Sequence, residues 1–163
     1  MYEKNVELFK GVERKFAKSI ETLGKINFSS KEQDIHEHWD VSITMQIDVK
    51  AMKKKHRGDD KTNENIHYVE LKNVQGHPGW LYGEAHYFAF ETEDYWIMVD
   101  KIRLQKFIKE KCAAKEWSEI PDFYKLTQRK QRLDIFTLVK TMDLIFICDK
   151  MIKKDEEHTS TNG

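Results

Sequence analysis

Residues 39–52 read WDVSITMQIDVKAM and residues 67–73 read HYVELKN. In both stretches apolar and polar residues alternate singly: Trp39, Val41 and Ile43, then Ile47, Val49 and Ala51, then Val69 and Leu71. A period of two is the signature of strands with one face turned inward. The polar stretch between them, with Gly58-Asp59-Asp60 at its centre, reads as a turn. These stretches predict three strands in an antiparallel meander.

Outward from this centre the period changes. Upstream, Leu8, Val12, Phe16, Ile20 and Leu23 recur at intervals of three and four, which predicts an amphipathic helix ending near Gly24. Ser30 to Gln33 carries the signal of a short helical start. Downstream, Gly76-His-Pro-Gly79 breaks the sheet, and residues 80–86 form a short helix or an extended connection. Tyr87–Glu91 and Tyr95–Val99 flank Thr92-Glu-Asp94 as a further hairpin, and Ile102–Lys115 reads as a helix. Residues 117–125 are irregular around Pro121. Leu133–Met151 is apolar and expected to be helical, with a break near Thr141–Asp143. No internal repeat or linker interrupts the chain, so residues 1–152 are expected to form one α/β domain and residues 153–163 a disordered polar tail.

Composition narrows the function. The 163 residues carry 28 Lys+Arg against 28 Asp+Glu, which excludes a uniformly basic polyanion binder. Any anion site must be local, made by separating the signs in space. No apolar run reaches the ~18 residues that cross a bilayer, and the charged start MYEKNVELFK is unlike a signal peptide, so no membrane partner is expected. Cys112 and Cys148 have no metal or framework spacing, which favours a reducing, cytoplasmic setting. No P-loop, dinucleotide fingerprint or nucleophile elbow is present.

The chemistry-bearing feature is the position of acids within the strands. Asp48 stands between Ile47 and Val49, and Glu70 between Val69 and Leu71. In a hairpin centred on Asp59 the two would face each other with Cβ atoms about 5 Å apart. Two opposed carboxylates repel, and a divalent cation is the natural compensation. Two residues further along each strand, on the same face, stand Lys50 and Lys72. Asp40 adds a third acid, across a turn centred on Thr44. A second register is equally open, with Asp40 as first acid and Asp48-x-Lys50 as the second motif; Asp48 belongs to both.

Asp48-Val-Lys50, Val69-Glu-Leu-Lys-Asn-Val74 and Gly79-Trp-Leu-Tyr-Gly83, in this order of elements, resemble the PD-(D/E)xK nuclease superfamily. That superfamily includes restriction endonucleases, Holliday-junction resolvases and recombination exonucleases, and the similarity extends to its phage-encoded hypothetical proteins. It covers roughly residues 8–110, and no proline precedes either candidate aspartate. The resemblance implies a restriction-endonuclease-like αβββαβ core, a mixed sheet flanked by helices, here with an added C-terminal helical segment. It implies a metal-dependent deoxyribonuclease of endonuclease or junction-resolving type. Asp48, Glu70 and Asp40 would hold Mg²⁺, with Mn²⁺ as substitute, and Lys72 or Lys50 would serve the attacking water. Glu13 or Glu21 would fill the place of a helix glutamate. The alternative is a catalytically inactive protein of nuclease fold that binds nucleic acid or a protein partner.

Two basic runs are the expected phosphate contacts: Lys53, Lys54, Lys55 and Arg57 leaving the second strand, and Arg129 and Arg132, in one cluster with Lys125 and Lys130, before the last apolar segment. DNA is the expected partner, RNA is not excluded, and a homodimer is compatible with the apolar surface of the C-terminal segment.

Overall fold

The computed structural model describes residues 13–54 and 59–154. Residues 13–20 are helical (α1) and tighten into a single 3₁₀ turn over Glu21–Leu23, closed by Gly24. Strand β1 (Lys25–Phe28) leads into helix α2 (Lys31–Glu37). Ser30 caps α2 with a capping box: its hydroxyl accepts from the Gln33 amide, and the Gln33 side chain accepts from the Ser30 amide. Such a reciprocal pair satisfies two of the amide groups that a helix start leaves open. Strand β2 (Val41–Thr44) then returns antiparallel to β1.

The expected meander does not form. Strand β3 (Ile47–Lys50) leaves β2 after only Met45 and Gln46 and enters a different sheet, parallel to β5 (Tyr87–Glu91). Gln46 makes the transfer. Its amide donates to His86 Nδ1, and its carbonyl accepts from the His86 and Tyr87 amides. Strand β4 (Ile66–Lys72) joins neither β2 nor β3; it pairs antiparallel with β9 (Ile135–Lys140). The three period-two stretches were read correctly as strands, but local pattern does not encode which long-range partner each one finds.

Three sheets result. The first is β1–β2. The second runs β10–β6–β5–β3, with β6 (Tyr95–Asp100) returning from β5 as the expected hairpin and β10 (Lys150–Lys153) on its far side. The third runs β4–β9–β8–β7, where β8 is Leu126–Gln128 and β7 is Trp117–Ser118. Helix α3 (Lys101–Lys111) follows β6 directly, capped by the Asp100 carboxylate on the Arg103 amide. Helix α4 (Thr141–Ile147) follows β9. The larger two sheets are therefore mixed and flanked by helices.

The added C-terminal helical segment is corrected to strand, helix, strand. Residues 136–139 are buried on both faces of β9, which lies between β4 and β8. A strand buried on both sides is continuously apolar, and periodicity alone does not separate it from a buried helix. Lys153 and Lys154, expected in the tail, belong to the fold: Lys153 of β10 pairs with Tyr95, and Lys154 donates its amide to the Asp94 carbonyl and its ammonium to Glu91. Residues 155–163 lie outside the described residues.

Val69 and Val139 of one sheet meet Phe88, Phe90, Ile97 and Val99 of the other, closed by Leu104 and Ile108 of α3 and Leu144 of α4. Each large apolar side chain taken from water here stabilises the fold by about 1.5–3 kcal/mol. Among the described residues no helix is long and apolar enough to cross a membrane.

The chain between β4 and β5 folds back on β4. Asn73 and Gly76 close a turn, Lys72 bridges to Pro78, and Gly79 donates its amide to the Leu71 carbonyl. Gly79 lies so close to Glu70 that a Cβ there would stand 2.4 Å from the Glu70 carbonyl oxygen. Only glycine fits this approach.

Candidate functional site

Each predicted catalytic and metal-binding residue has a place among the described residues. Asp48 and Lys50 share one face of β3, in register with Phe88 and Phe90, and form an ion pair of 2.7 Å. Lys50 Nζ also stands 4.1 Å from the centre of the Trp80 ring. Glu70 projects from the opposite sheet, half-buried, with Oε2 accepting from the Trp80 amide at 3.4 Å. Trp80 thus lies between the ammonium of β3 and the carboxylate of β4. Lys72 is exposed beyond a bulge that follows Glu70. Asp40 is exposed before β2, where its carbonyl accepts from the Ser29 amide.

Asp48 and Glu70 are therefore not cross-strand neighbours. Among the described residues no group of three or more His, Cys, Asp or Glu side chains gathers where it could hold a metal ion. With Asp48 satisfied by Lys50, and Asp40 and Glu70 on other sheets, the residues as placed do not fit the Mg²⁺ ligand set that the resemblance implies. Glu13 and Glu21 do not line the cleft described next.

The structure does bring together the two basic runs. A cleft of about 1040 Å³ opens between β3 and β4, the terminal strands of their respective sheets. Its lining carries Lys53, Lys54, Lys130 and Arg132, all exposed. Lys55 and Arg57 lie outside the described residues. Lys125, of the same basic run as Arg129, is absent from the cleft lining; it pairs with Asp122 at 3.0 Å.

The floor is one face of the β4–β9–β8 sheet. Glu70 pairs with Phe136, and Phe136 with Thr127, so side chains alternating from these positions share that face. Tyr68 and Phe136 touch with ring centres 5.4 Å apart. Arg129 lies over Phe136 at 5.6 Å and donates its Nε to Asp134 Oδ2 at 3.0 Å, with a second, shorter bond from Nη2. Asp134 is only 2% exposed, and its Oδ1 has no hydrogen-bond partner among the described residues. A buried carboxylate needs a cation, and the fork of Arg129 supplies one.

His67 closes the inner end. It is buried edge-on against Phe90 at 5.1 Å, and its Nε2 has no partner among the described residues. Burial lowers its pKa from 6.5 to about 4, with nearby Glu91 pulling the other way, so at neutral pH the ring is uncharged. Tyr68 is shifted up, first by burial, with Arg129 opposing. Beside the cleft, Asp59, Asp60, Glu64 and Glu93 line a second hollow of about 670 Å³. The cleft is thus lined by Lys50, Lys53, Lys54, Arg129, Lys130 and Arg132 with Glu70 and Asp134, and the hollow by four acids with Lys61.

Sequence reading identified the lining cations and missed the floor. Tyr68 and Phe136 read there only as strand or helix residues, and Asp134 fell in the segment from Leu133 read as helix, which hid its position opposite Arg129 in the β8–β9 hairpin. Comparison with protein-family models, curated proteins and solved structures finds no match to the chain.

Proposed function

We propose that the protein binds nucleic acid along the cleft between β3 and β4. The observation that carries this reading is the convergence of two basic runs, more than seventy residues apart in the chain, on one cleft: Lys53 and Lys54 with Arg129, Lys130 and Arg132. Cations that neutralise phosphates release condensed counterions, which gives binding a steep salt dependence. Tyr68, part-buried in the lining, offers a ring that a base can contact.

The test is fluorescence anisotropy with labelled oligonucleotides across a salt titration. Wild type is expected to bind at low salt, with log affinity falling linearly with log salt. Lys53→Gln and Arg132→Gln, each removing one phosphate contact, are expected to reduce that slope by about 1. Absence of binding at low salt, or an unchanged slope in both variants, rejects the reading.

Metal-dependent hydrolysis of DNA, the activity implied by the resemblance, is the second reading. What favours it is that Lys50 and Glu70, from the two acid–x–lysine units, line this same cleft. Incubating plasmid, single-stranded and branched DNA with Mg²⁺ or Mn²⁺ separates the two. Cleavage that disappears in Asp48→Ala and Glu70→Gln supports catalysis; binding without cleavage leaves the protein a non-cutting binder.

A further inference from the structure

Resting on the nucleic-acid reading above, we infer that Asp134 is a positioning residue, which holds the Arg129 guanidinium in the cleft as an oriented ligand for a backbone phosphate. The two residues bracket the loop that joins β8 to β9, residues 129–134, which reads RKQRLD. Gln128 pairs with Ile135 at its base, Gln131 takes a positive φ of 62°, and the Arg132 amide donates to the Arg129 carbonyl at 3.1 Å. Asp134 is thereby set beside Arg129 and is buried, while the Arg129 side chain keeps 44% of its surface open and lines the cleft. A carboxylate that no ligand reaches acts on a ligand only through the cation it holds.

The hold fixes direction as well as charge. Nε and Nη2 both donate to Asp134 Oδ2, and the guanidinium carbon stands 5.6 Å from the centre of the Phe136 ring. Both Nη1 hydrogens and the second on Nη2 have no hydrogen-bond partner among the described residues. N–H groups in that fixed fork match the oxygens of a phosphate, a geometry that an ammonium lacks. The neighbouring cations differ. Lys53, Lys54, Lys130 and Arg132 are exposed and have no ion pair among the described residues. Those four supply charge without a fixed direction; Arg129 supplies direction, its own charge being offset by Asp134.

Charge alone and positioning give opposite signs for one substitution. Asp134→Asn removes a negative charge from a basic cleft, so charge alone expects a polyanion to bind more tightly. Positioning expects binding to weaken by about ten-fold, because the guanidinium loses its hold. Arg129→Lys keeps the charge and the ion pair but not the fork, and is expected to weaken binding by a similar factor. The experiment is fluorescence anisotropy on the full chain at one low salt concentration. Its probe is whichever of single-stranded DNA, duplex DNA and single-stranded RNA wild type binds most tightly. Asp134→Asn and Arg129→Lys together are expected to lose no more than either alone, since both act through one contact, whereas Lys53→Gln is expected to add to each in full. Unchanged or tighter binding in Asp134→Asn, unchanged binding in Arg129→Lys, or losses that add in the double variant each overturn the inference while leaving nucleic-acid binding intact. No binding of any of the three probes by wild type overturns both. If Asp134→Asn fails to fold, Arg129→Lys decides alone.

Discussion

Strands β3 and β4 carry the same spacing of acid, one residue, lysine, yet they present it in opposite ways. In β3 the charged pair Asp48 and Lys50 turns toward Phe88 and Phe90, while Ile47 and Val49 face outward, Val49 being 58% exposed. In β4 the apolar Val69 is fully buried in the core, and Glu70 takes the other face, toward the cleft. The difference follows from position. Phe88 and Phe90 are covered by Trp80, and Lys50 satisfies both the edge of that ring cluster and Asp48. Alternation therefore tells which residues share a face, but the partner strand decides which face is inside.

The strongest way to break this comparison is to place a charge on the apolar face of each strand. Val69→Asp buries an unpaired carboxylate and is expected to cost more than about 4 kcal/mol, enough to abolish cooperative unfolding in urea. If Val69→Asp folds normally, the assignment of the inner face of β4 is wrong.

Acid titration examines the same strand. His67 is neutral and buried in the fold, with a pKa of about 4 against 6.5 for the free side chain. Between those values the unfolded chain binds the additional proton, so stability falls as pH drops through that window and levels off below it. At 1.36 kcal/mol per unit the loss amounts to at most about 3.5 kcal/mol. Glu91 acts in the same direction. The Lys154 hydrogen bond holds its carboxyl below the usual range, and this contribution is present above the ordinary carboxylate pKa and is lost as pH falls through the folded value. Urea midpoints measured from pH 7 to pH 4 should decline in wild type and decline less in His67→Gln.

On β3 the effects are smaller. A double-mutant cycle on Asp48→Asn and Lys50→Met is expected to give a coupling of about 0.5–1 kcal/mol, since the pair is partly solvated. A coupling of zero would show that the 2.7 Å contact carries no stability. Smallest of all, Val49→Asp should change stability by less than about 0.5 kcal/mol, as the counterpart of Val69→Asp on an exposed face.

What the chain disclosed on its own were elements whose signals are local. The Ser30/Gln33 cap, the β5–β6 hairpin around Thr92–Asp94 and helix α3 all follow from residues a few positions apart. The partners of β3 and β4 were hidden, because Ile47–Lys50 pairs with residues forty positions on and Ile66–Lys72 with residues about seventy positions on. The same limit governed the site. Lys53 and Arg132 were visible as basic runs, whereas the floor formed by Tyr68, Phe136 and Asp134 exists only once β4 lies beside β9. The acids of β3 and β4 were legible as strand residues, but their meeting over a common point depended on a hairpin that the chain does not make.

The close seat of Gly79 against Glu70 reaches beyond local geometry. Outer strands of a sheet leave main-chain donors and acceptors ready to recruit another molecule, and proteins guard them with turns, charges or bulges. Here the backbone from Asn73 to Gly79 sits along the last part of β4 as such a guard, seated by the one residue that lacks a side chain. A single added methyl group would lift it away and leave the ribbon exposed to a neighbouring copy. The segment therefore occupies the Leu71 carbonyl and the Lys72 main chain, groups that an outer strand otherwise leaves open.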